Sequence, residues 1–394
     1  MPLRWIMLLV LFLVRLAMGY QFQSVASVSS HLVNELGFSY AEVGTLIGFF
    51  LLPGIAIAIP SGLMTRATTD KILLMAGAAA MIAGALVMAF GQTAEALYAG
   101  RLITGIGGTI FNVILTKMVT EWFFEKEIVT ALAIMLTAWP IGISLGLLTQ
   151  GPIADAYGWP AVIHATALLA MIALLLTATL YRDAPRATDA GEVALRFGLP
   201  LRQMVHVSVV GLAWTLYNSC LIILVSFAPG VFVAHGYAPA QASSVASLAM
   251  WAMLVSIPFG GRLLEVFGWI TVSITATLLL AAAAVAGLSQ GWAPEALCLA
   301  FGLIGGIPAG ALMALSAQAV SPDNRGPGLG IFYTWYYVGM TVSPAFAGWT
   351  LDATGSPAAP LLVGAAMFTA VVVLVLALRL LQRNWPIQPQ TPAR

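Results

Sequence analysis

The sequence predicts an all-α membrane protein of twelve transmembrane helices arranged as two pseudo-symmetric six-helix bundles. Three observations lead there. Of 394 residues, 60% are hydrophobic and only 8% charged, where an ordinary soluble domain carries about a quarter charged residues. Apolar stretches of spanning length recur from end to end, each able to satisfy its own backbone inside a bilayer as a helix. Short signatures of the first half return in the second half at a nearly constant offset.

The first segment, 4–32, follows a single basic residue, Arg4, and runs past the length of a signal-peptide core without a small-residue cleavage pattern, so it reads as a retained span. The second, 40–63, opens on Ser39-Tyr-Ala-Glu42, the spacing of a capping box that would occupy the Glu42 carboxylate with helix-start amides. Segments 71–91 and 95–119 follow. The latter carries Arg101 and the glycines Gly105, Gly107 and Gly108, which inside an apolar helix allow close backbone contact rather than forming a phosphate loop. Segment 127–152 holds Trp139-Pro140, where the missing amide should bend the helix at mid-depth, and 159–181 completes the first six. A join containing Pro185, Arg186, Asp189, Glu192 and Arg196 is too polar to span and too short to fold alone. It divides the chain into 1–181, a central loop 182–203, and 204–394. The second set reads 204–232, 239–261, 268–288, 294–319, 327–350 and 357–380, with a further proline bend at Ser343-Pro344.

Charge orients these segments. Fourteen of the sixteen basic residues fall on one side: Arg4, Arg66, Lys71, Lys117, Lys126, Arg182, Arg186, Arg196, Arg202, Arg262, Arg325, Arg379, Arg383 and Arg394. The alternate connections, near Asn34, Gln92, Asp155, His235, Gln290 and Asp352, carry none. The positive-inside rule then places both termini and the central loop in the cytoplasm, as expected for a bacterial-type inner membrane. The two arginines left over, Arg15 and Arg101, lie within helices, while all fifteen acids fall at helix ends or in loops.

The internal repeat is explicit. Asp155-Ala-Tyr-Gly158-Trp-Pro160 returns as Asp352-Ala-Thr-Gly355-Ser-Pro357, Ala131-Leu-Ala-Ile134 as Gly328-Leu-Gly-Ile331, and Gly105 and Gly108 as Gly302 and Gly305, each 197 residues on. Pro60-Ser-Gly62 returns as Pro258-Phe-Gly260 after 198. The later copy, Pro258-Phe-Gly260-Gly261-Arg262-Leu-Leu-Glu265-Val-Phe-Gly268, and Gly100-Arg101-Leu-Ile-Thr-Gly105 resemble motifs of the major facilitator superfamily, and the resemblance covers the whole chain. The first copy, Pro60-Ser-Gly62 to Asp70-Lys71, departs from the family pattern by placing Arg66 where an aspartate is usual. Within the superfamily, Arg15-Leu-Ala-Met-Gly19, Trp139-Pro140-Ile-Gly142 and Trp122-Phe123 look most like the cyanate permease-like and anion-symporter branches. The resemblance implies alternating access, a substrate site near the midplane where the two repeats meet, and coupling to protons.

Arg15 carries the most chemistry of any residue. Ten residues beyond Trp5, at ~1.5 Å per helical residue, it lies roughly 15 Å deep in a bilayer ~30 Å thick. Facing lipid it would cost several kcal/mol, so its face must look into the bundle or a wet cavity. There a forked guanidinium either donates to the carbonyls of a neighbouring helix or grips a carboxylate-like group through two parallel hydrogen bonds. Phe22 shares its helical face, with Gln23 on the flank. Arg101 is shallower and continues through Gly105 and Gly108 to Asn112. An ion pair with Glu42 or Glu95 and a gating or substrate-relay role both remain open for it. Arg262 and Glu265, with Arg101 and Glu42, are the candidate gating or structural charges.

Trp214, Tyr217 and Asn218 share one face of the seventh segment, and Trp335 and Tyr336 are chosen from the aromatic run 332–337. His164 and His206 sit near helix starts, as polar end residues more often do than proton carriers. The expected transporter therefore carries a small inorganic or organic anion. Arg15 binds the charge, Gln23, Asn112 and Asn218 add hydrogen bonds, and Phe22, Trp139, Trp214, Tyr217, Trp335 and Tyr336 form walls.

The expected partners are that anion, a co-transported proton and the bilayer, with the protein acting as a monomer. An exporter of neutral or cationic compounds is the main alternative, opposed by the lack of a buried acid. A membrane sensor is a weaker one, since the central loop has no attached domain. No Gly-Lys-Ser/Thr follows the glycines, no Ser-His-Asp, HExxH or CxxC centre occurs, and Cys220 and Cys298 lie inside apolar segments. No cofactor, metal, nucleic-acid partner or enzymatic activity is expected.

Overall fold

The computed structural model describes residues 3–57, 68–123, 127–183, 199–267, 270–321 and 324–386, and every regular element in them is helical. The helices are α1 (Leu3–Ser27), α2 (Ser29–Leu36), α3 (Tyr40–Phe49), α4 (Asp70–Gly91), α5 (Ala94–Trp122), α6 (Ile128–Tyr157) and α7 (Trp159–Thr179), then α8 (Leu201–Ala234), α9 (Pro239–Phe267), α10 (Ile270–Ser289), α11 (Pro294–Gly305), α12 (Ala309–Gln318), α13 (Arg325–Thr354) and α14 (Ala359–Asn384). Eleven spans among the described residues are long and apolar enough to cross a bilayer. The twelfth is α13, 30 residues long but diluted by Tyr333, Thr334, Trp335, Tyr336 and Tyr337.

Three expected single helices are broken, the first of them, expected over 4–32, at Val28 between α1 and α2. The segment expected over 40–63 leaves regular α-geometry at 50–52, where the Pro53 ring would meet the carbonyl four residues back, and resumes at 53–57. The segment expected over 294–319 is interrupted between α11 and α12 by Gly306-Ile-Pro308, for the same reason. Helices α6 and α13, by contrast, continue through Pro140 and Pro344. The central loop over 184–198, and Arg66 with the rest of 58–67, lie outside the described residues.

The helices pack in matching pairs. Contacts of α1 with α6 and α7 recur as α8 with α13 and α14, and α4 with α5 and α7 recur as α10 with α11 and α14. The two bundles meet along α3·α13 and α6·α9, which are also related by the repeat. Because lipid tails are as apolar as leucine, association in a bilayer relies on close backbone contact. Gly84 and Gly77 of α4 accordingly face Gly100 and Gly107 of α5 so closely that a Cβ on any of them would meet the opposing helix.

Polar contacts tie the basic end. Asp70, at the first turn of α4, accepts from Lys117 Nζ of α5 at 2.7 Å, so it supplies a charge link between neighbouring helices near the point where Arg66 departs from the expected pattern. Lys71 Nζ donates to the carbonyls of Ala178 (2.8 Å) and Tyr181 (3.0 Å), placing a cation on the C-terminus of α7. Burial pushes the Tyr181 hydroxyl above its ordinary pKa, and it stands as a neutral acceptor for Trp122 Nε1 at 3.2 Å.

Candidate functional site

A cavity of about 740 Å³ lies between the two bundles. Its wall residues run from mid-helix towards the end that carries the basic residues: Thr116 directly precedes Lys117, and Leu329 follows Arg325 by one turn. Towards the opposite end the bundles are zipped together along α3 and α13. Gly44 faces the Pro344 carbonyl, Gly48 that of Thr341, and Gly348 that of Tyr40. The Asp352 carboxylate closes this seam by accepting from the backbone N–H groups of Tyr40 (3.0 Å) and Ala41 (2.7 Å), capping α3 from the other bundle. The cavity is therefore reached from the basic end and sealed at the other.

Arg15 lines this cavity, partly buried. Among the described residues it forms no ion pair, and its Nε is buried with no hydrogen-bond partner. Its electrostatic neighbours are the hydroxyls of Tyr333, Tyr336 and Tyr337, presented by α13 from the other bundle. Asn112 of α5 lies beside the Tyr337 hydroxyl. A lone cation thus faces neutral phenols, which can donate to whatever anion it holds.

Arg101 has the opposite surroundings. It is fully buried, donating through Nε to Leu46 O (3.0 Å), through Nη1 to Gln21 O (3.1 Å) and through Nη2 to Phe22 O (2.7 Å). Its guanidinium also lies 4.8 Å from the Phe50 ring centroid and 5.8 Å from that of Phe22. No carboxylate is involved. Glu42, which the sequence offers as its partner, is held in a capping box with Ser39, accepting from Ser39 N at 2.8 Å. Arg101 is therefore an anchor that fastens α5 to α1 and α3. The side chains of Arg262 and Glu265 lie outside the described residues.

Seven of the ten residues expected to bind substrate line the cavity: Arg15, Asn112, Trp139, Trp214, Tyr217, Asn218 and Tyr336. Three do not. Phe22 shares the Arg15 face but stands about 10 Å further along α1. There it is buried against Phe50 (5.4 Å) and behind Trp139 (5.1 Å). Gln23 is buried at the closed interface, its Nε2 directed at Val225 O of α8 at 3.5 Å. Trp335 packs on Gly211 of α8, because adjacent helical residues point 100° apart and the inward stripe of α13 is Gly330, Tyr333, Tyr337 and Met340.

That stripe, and the methionines Met250, Met253, Met313 and Met340, do not stand out in the sequence. The i, i+3, i+7 spacing of Met250, Met253 and Ile257 is the signal that could reveal one wall. The repeat partners Tyr20 and Tyr217 are used differently. Tyr20 is tied to Thr149 (2.9 Å), away from the cavity, while Tyr217 lines it and donates to Gly305 O (2.8 Å), at the break between α11 and α12.

The sequence matches the family model of the Major Facilitator Superfamily over residues 8–235 and again over 216–393. No curated protein sequence matches the chain. In fold, the chain is similar to a bacterial homolog of the human lysosomal transporter Spinster in an inward-facing, occupied conformation (TM-score 0.70, 17% identity, covering 100% of each chain). It is also similar to a variant of the nucleoside transporter NupG (TM-score 0.71, 16% identity, covering 96% of this chain and 100% of that one). Two family matches across the chain, the repeated helix pairing and the inter-bundle cavity make this protein a multi-pass membrane transporter of the Major Facilitator Superfamily.

Proposed function

We propose that the protein is a secondary transporter of an anion that works by alternating access, with Arg15 as the charge receptor. The observation that carries this reading is the contrast between the two intramembrane arginines. Arg101 is fully engaged by three carbonyls, whereas Arg15 turns into the cavity a guanidinium that no acid compensates among the described residues. An unpartnered charge in a bilayer costs several kcal/mol and is retained where it serves a substrate or ion pathway. A cationic cargo is disfavoured by the same charge, and no acid lines the cavity among the described residues.

By the positive-inside distribution the termini face the cytoplasm, so this conformation opens inward in a bacterial-type inner membrane. Proton coupling rests on the family resemblance. With neither a carboxylate nor a histidine among the described wall residues, the proton would travel on the cargo itself.

Arg15→Ala should reduce substrate uptake by reconstituted protein at least a hundredfold without loss of expression. Arg15→Lys should recover little, because an ammonium lacks the bidentate fork. Flux of Arg15→Ala at the wild-type rate ends the anion reading. Imposed proton, sodium and voltage gradients then test coupling: accumulation unchanged under all three contradicts symport.

A further inference from the structure

We infer that the cargo is an organic monoanion whose body is a flat apolar group of aromatic size, neither a bare inorganic anion nor a dicarboxylate. This rests on the reading of Arg15 as anion receptor and adds the shape and charge count of what it receives. Three observations converge on it.

The first is volume. An inorganic anion of three or four heavy atoms occupies on the order of 100 Å³, taking each atom near the ~30 Å³ share of a water molecule. The cavity is about 740 Å³, within the ~300–1,000 Å³ typical of sites for drug-sized ligands. A small ion would leave Arg15 in water, where a charge pair is roughly fourfold weaker than at an effective dielectric of ~20. A body large enough to expel that water strengthens the grip on the charge.

The second is the character of the wall opposite and around Arg15. Trp214 stacks on Tyr217 (centroids 5.7 Å, planes 21° apart), and Tyr217 stacks on Phe368 (5.4 Å, 5°), making a ladder of parallel rings that ends at the cavity with Trp214. Tyr217 is locked in this pose by its hydrogen bond to Gly305 O. Asn218 uses its amide N–H on Trp214 O (2.8 Å), which fixes it to the same helix face. Met250, Met253, Met313 and Met340 complete the lining. Their unbranched, polarizable side chains make favourable sulfur–aromatic contacts and adapt to ring edges. An inorganic ion has no use for such a surface.

The third is the count of charges. Arg15 is the only cation on the described wall, and the remaining polar side chains are phenols, amides, the indoles of Trp139 and Trp214, and the hydroxyls of Thr116 and Thr334. One carboxylate is neutralised by Arg15 and can accept from Tyr333, Tyr336 or Tyr337. A second would be desolvated with no cation to meet it.

The test is a thermal-shift and isothermal-titration panel on purified detergent-solubilised protein, using benzoate, phenylacetate and naphthoate, then acetate, nitrate, cyanate, phthalate, succinate and neutral benzamide. Aromatic monocarboxylates should stabilise the protein by mass action and bind at least tenfold more tightly than acetate, nitrate, cyanate, phthalate or succinate. Trp214→Ala should weaken naphthoate binding at least tenfold more than it weakens acetate binding, and so remove the advantage of naphthoate. Equal or tighter binding of acetate, nitrate, cyanate or either dicarboxylate overturns the inference yet leaves an anion receptor in place, and no response to any aromatic monocarboxylate overturns it as well. Benzamide binding as well as benzoate, with neither affected by Arg15→Ala, overturns the anion reading beneath it.

Discussion

Replacing Gly48 by leucine is expected to stop transport while leaving the protein folded and inserted. Gly44 and Gly48 stand one turn apart on α3, and each meets a backbone carbonyl of α13, that of Pro344 or Thr341, with no room for a Cβ. The contact lies between the bundles and not within one, so a larger side chain leaves each bundle intact and penalises only the state in which they close at this end. Overpacking commonly costs ~1–3 kcal/mol where side chains can yield, and backbone cannot yield that way. Moving a conformational equilibrium from 99:1 to 1:99 takes about 5.5 kcal/mol.

Gly48→Ala should therefore slow transport partially. Gly48→Leu, or the double alanine at 44 and 48, should hold the non-basic end open. Spin labels at Asn34 and Gln241, exposed residues near that end on different bundles, report the state in a background with Cys220 and Cys298 replaced. The variant should shift the distance distribution to longer values. Wild-type distances together with wild-type flux would show that this seam does not gate the cavity.

Arg101→Ala should damage folding where Arg15→Ala damages only binding. Removing Arg101 deletes three hydrogen bonds and two ring contacts at the junction of α1, α3 and α5, and empties a fully buried volume. Large-to-small changes at such sites cost about 2–5 kcal/mol, or roughly a 10 °C fall in melting temperature at a few degrees per kcal/mol. Lysine should rescue little, since one ammonium cannot span three carbonyls set by a planar fork. Arg15→Ala, which removes no described hydrogen bond, should melt near the wild type. A sharp fall for Arg15→Ala and none for Arg101→Ala would reverse the two assignments.

The twelve spans, the repeat and the Ser39–Glu42 cap are legible in the sequence because each depends on local pattern: length of apolar run, fixed offset, four-residue spacing. The face of α8 bearing Trp214 and Asn218 is legible for the same reason. The two arginines are not separable that way, since both are lone cations in apolar helices. What distinguishes them is whether carbonyls of other helices come within 3.1 Å, and only packing decides that.

Helical face selects Phe22 and Gln23 as wall residues, yet depth excludes them, because the bundles have already closed at their level. The closure itself is a property of one conformational state. The Gly44-x-x-x-Gly48 spacing does mark a close helix contact, but no single sequence says which helix lies opposite.

The most direct measurement is a structure of the protein with a bound aromatic monocarboxylate. The account predicts the carboxylate about 3 Å from the terminal nitrogens of Arg15, in a bidentate pose, with the ring against Trp214 and the methionine wall. A carboxylate bound elsewhere, or Arg15 found clamped to an acidic side chain of the protein while the cavity is occupied, would contradict it.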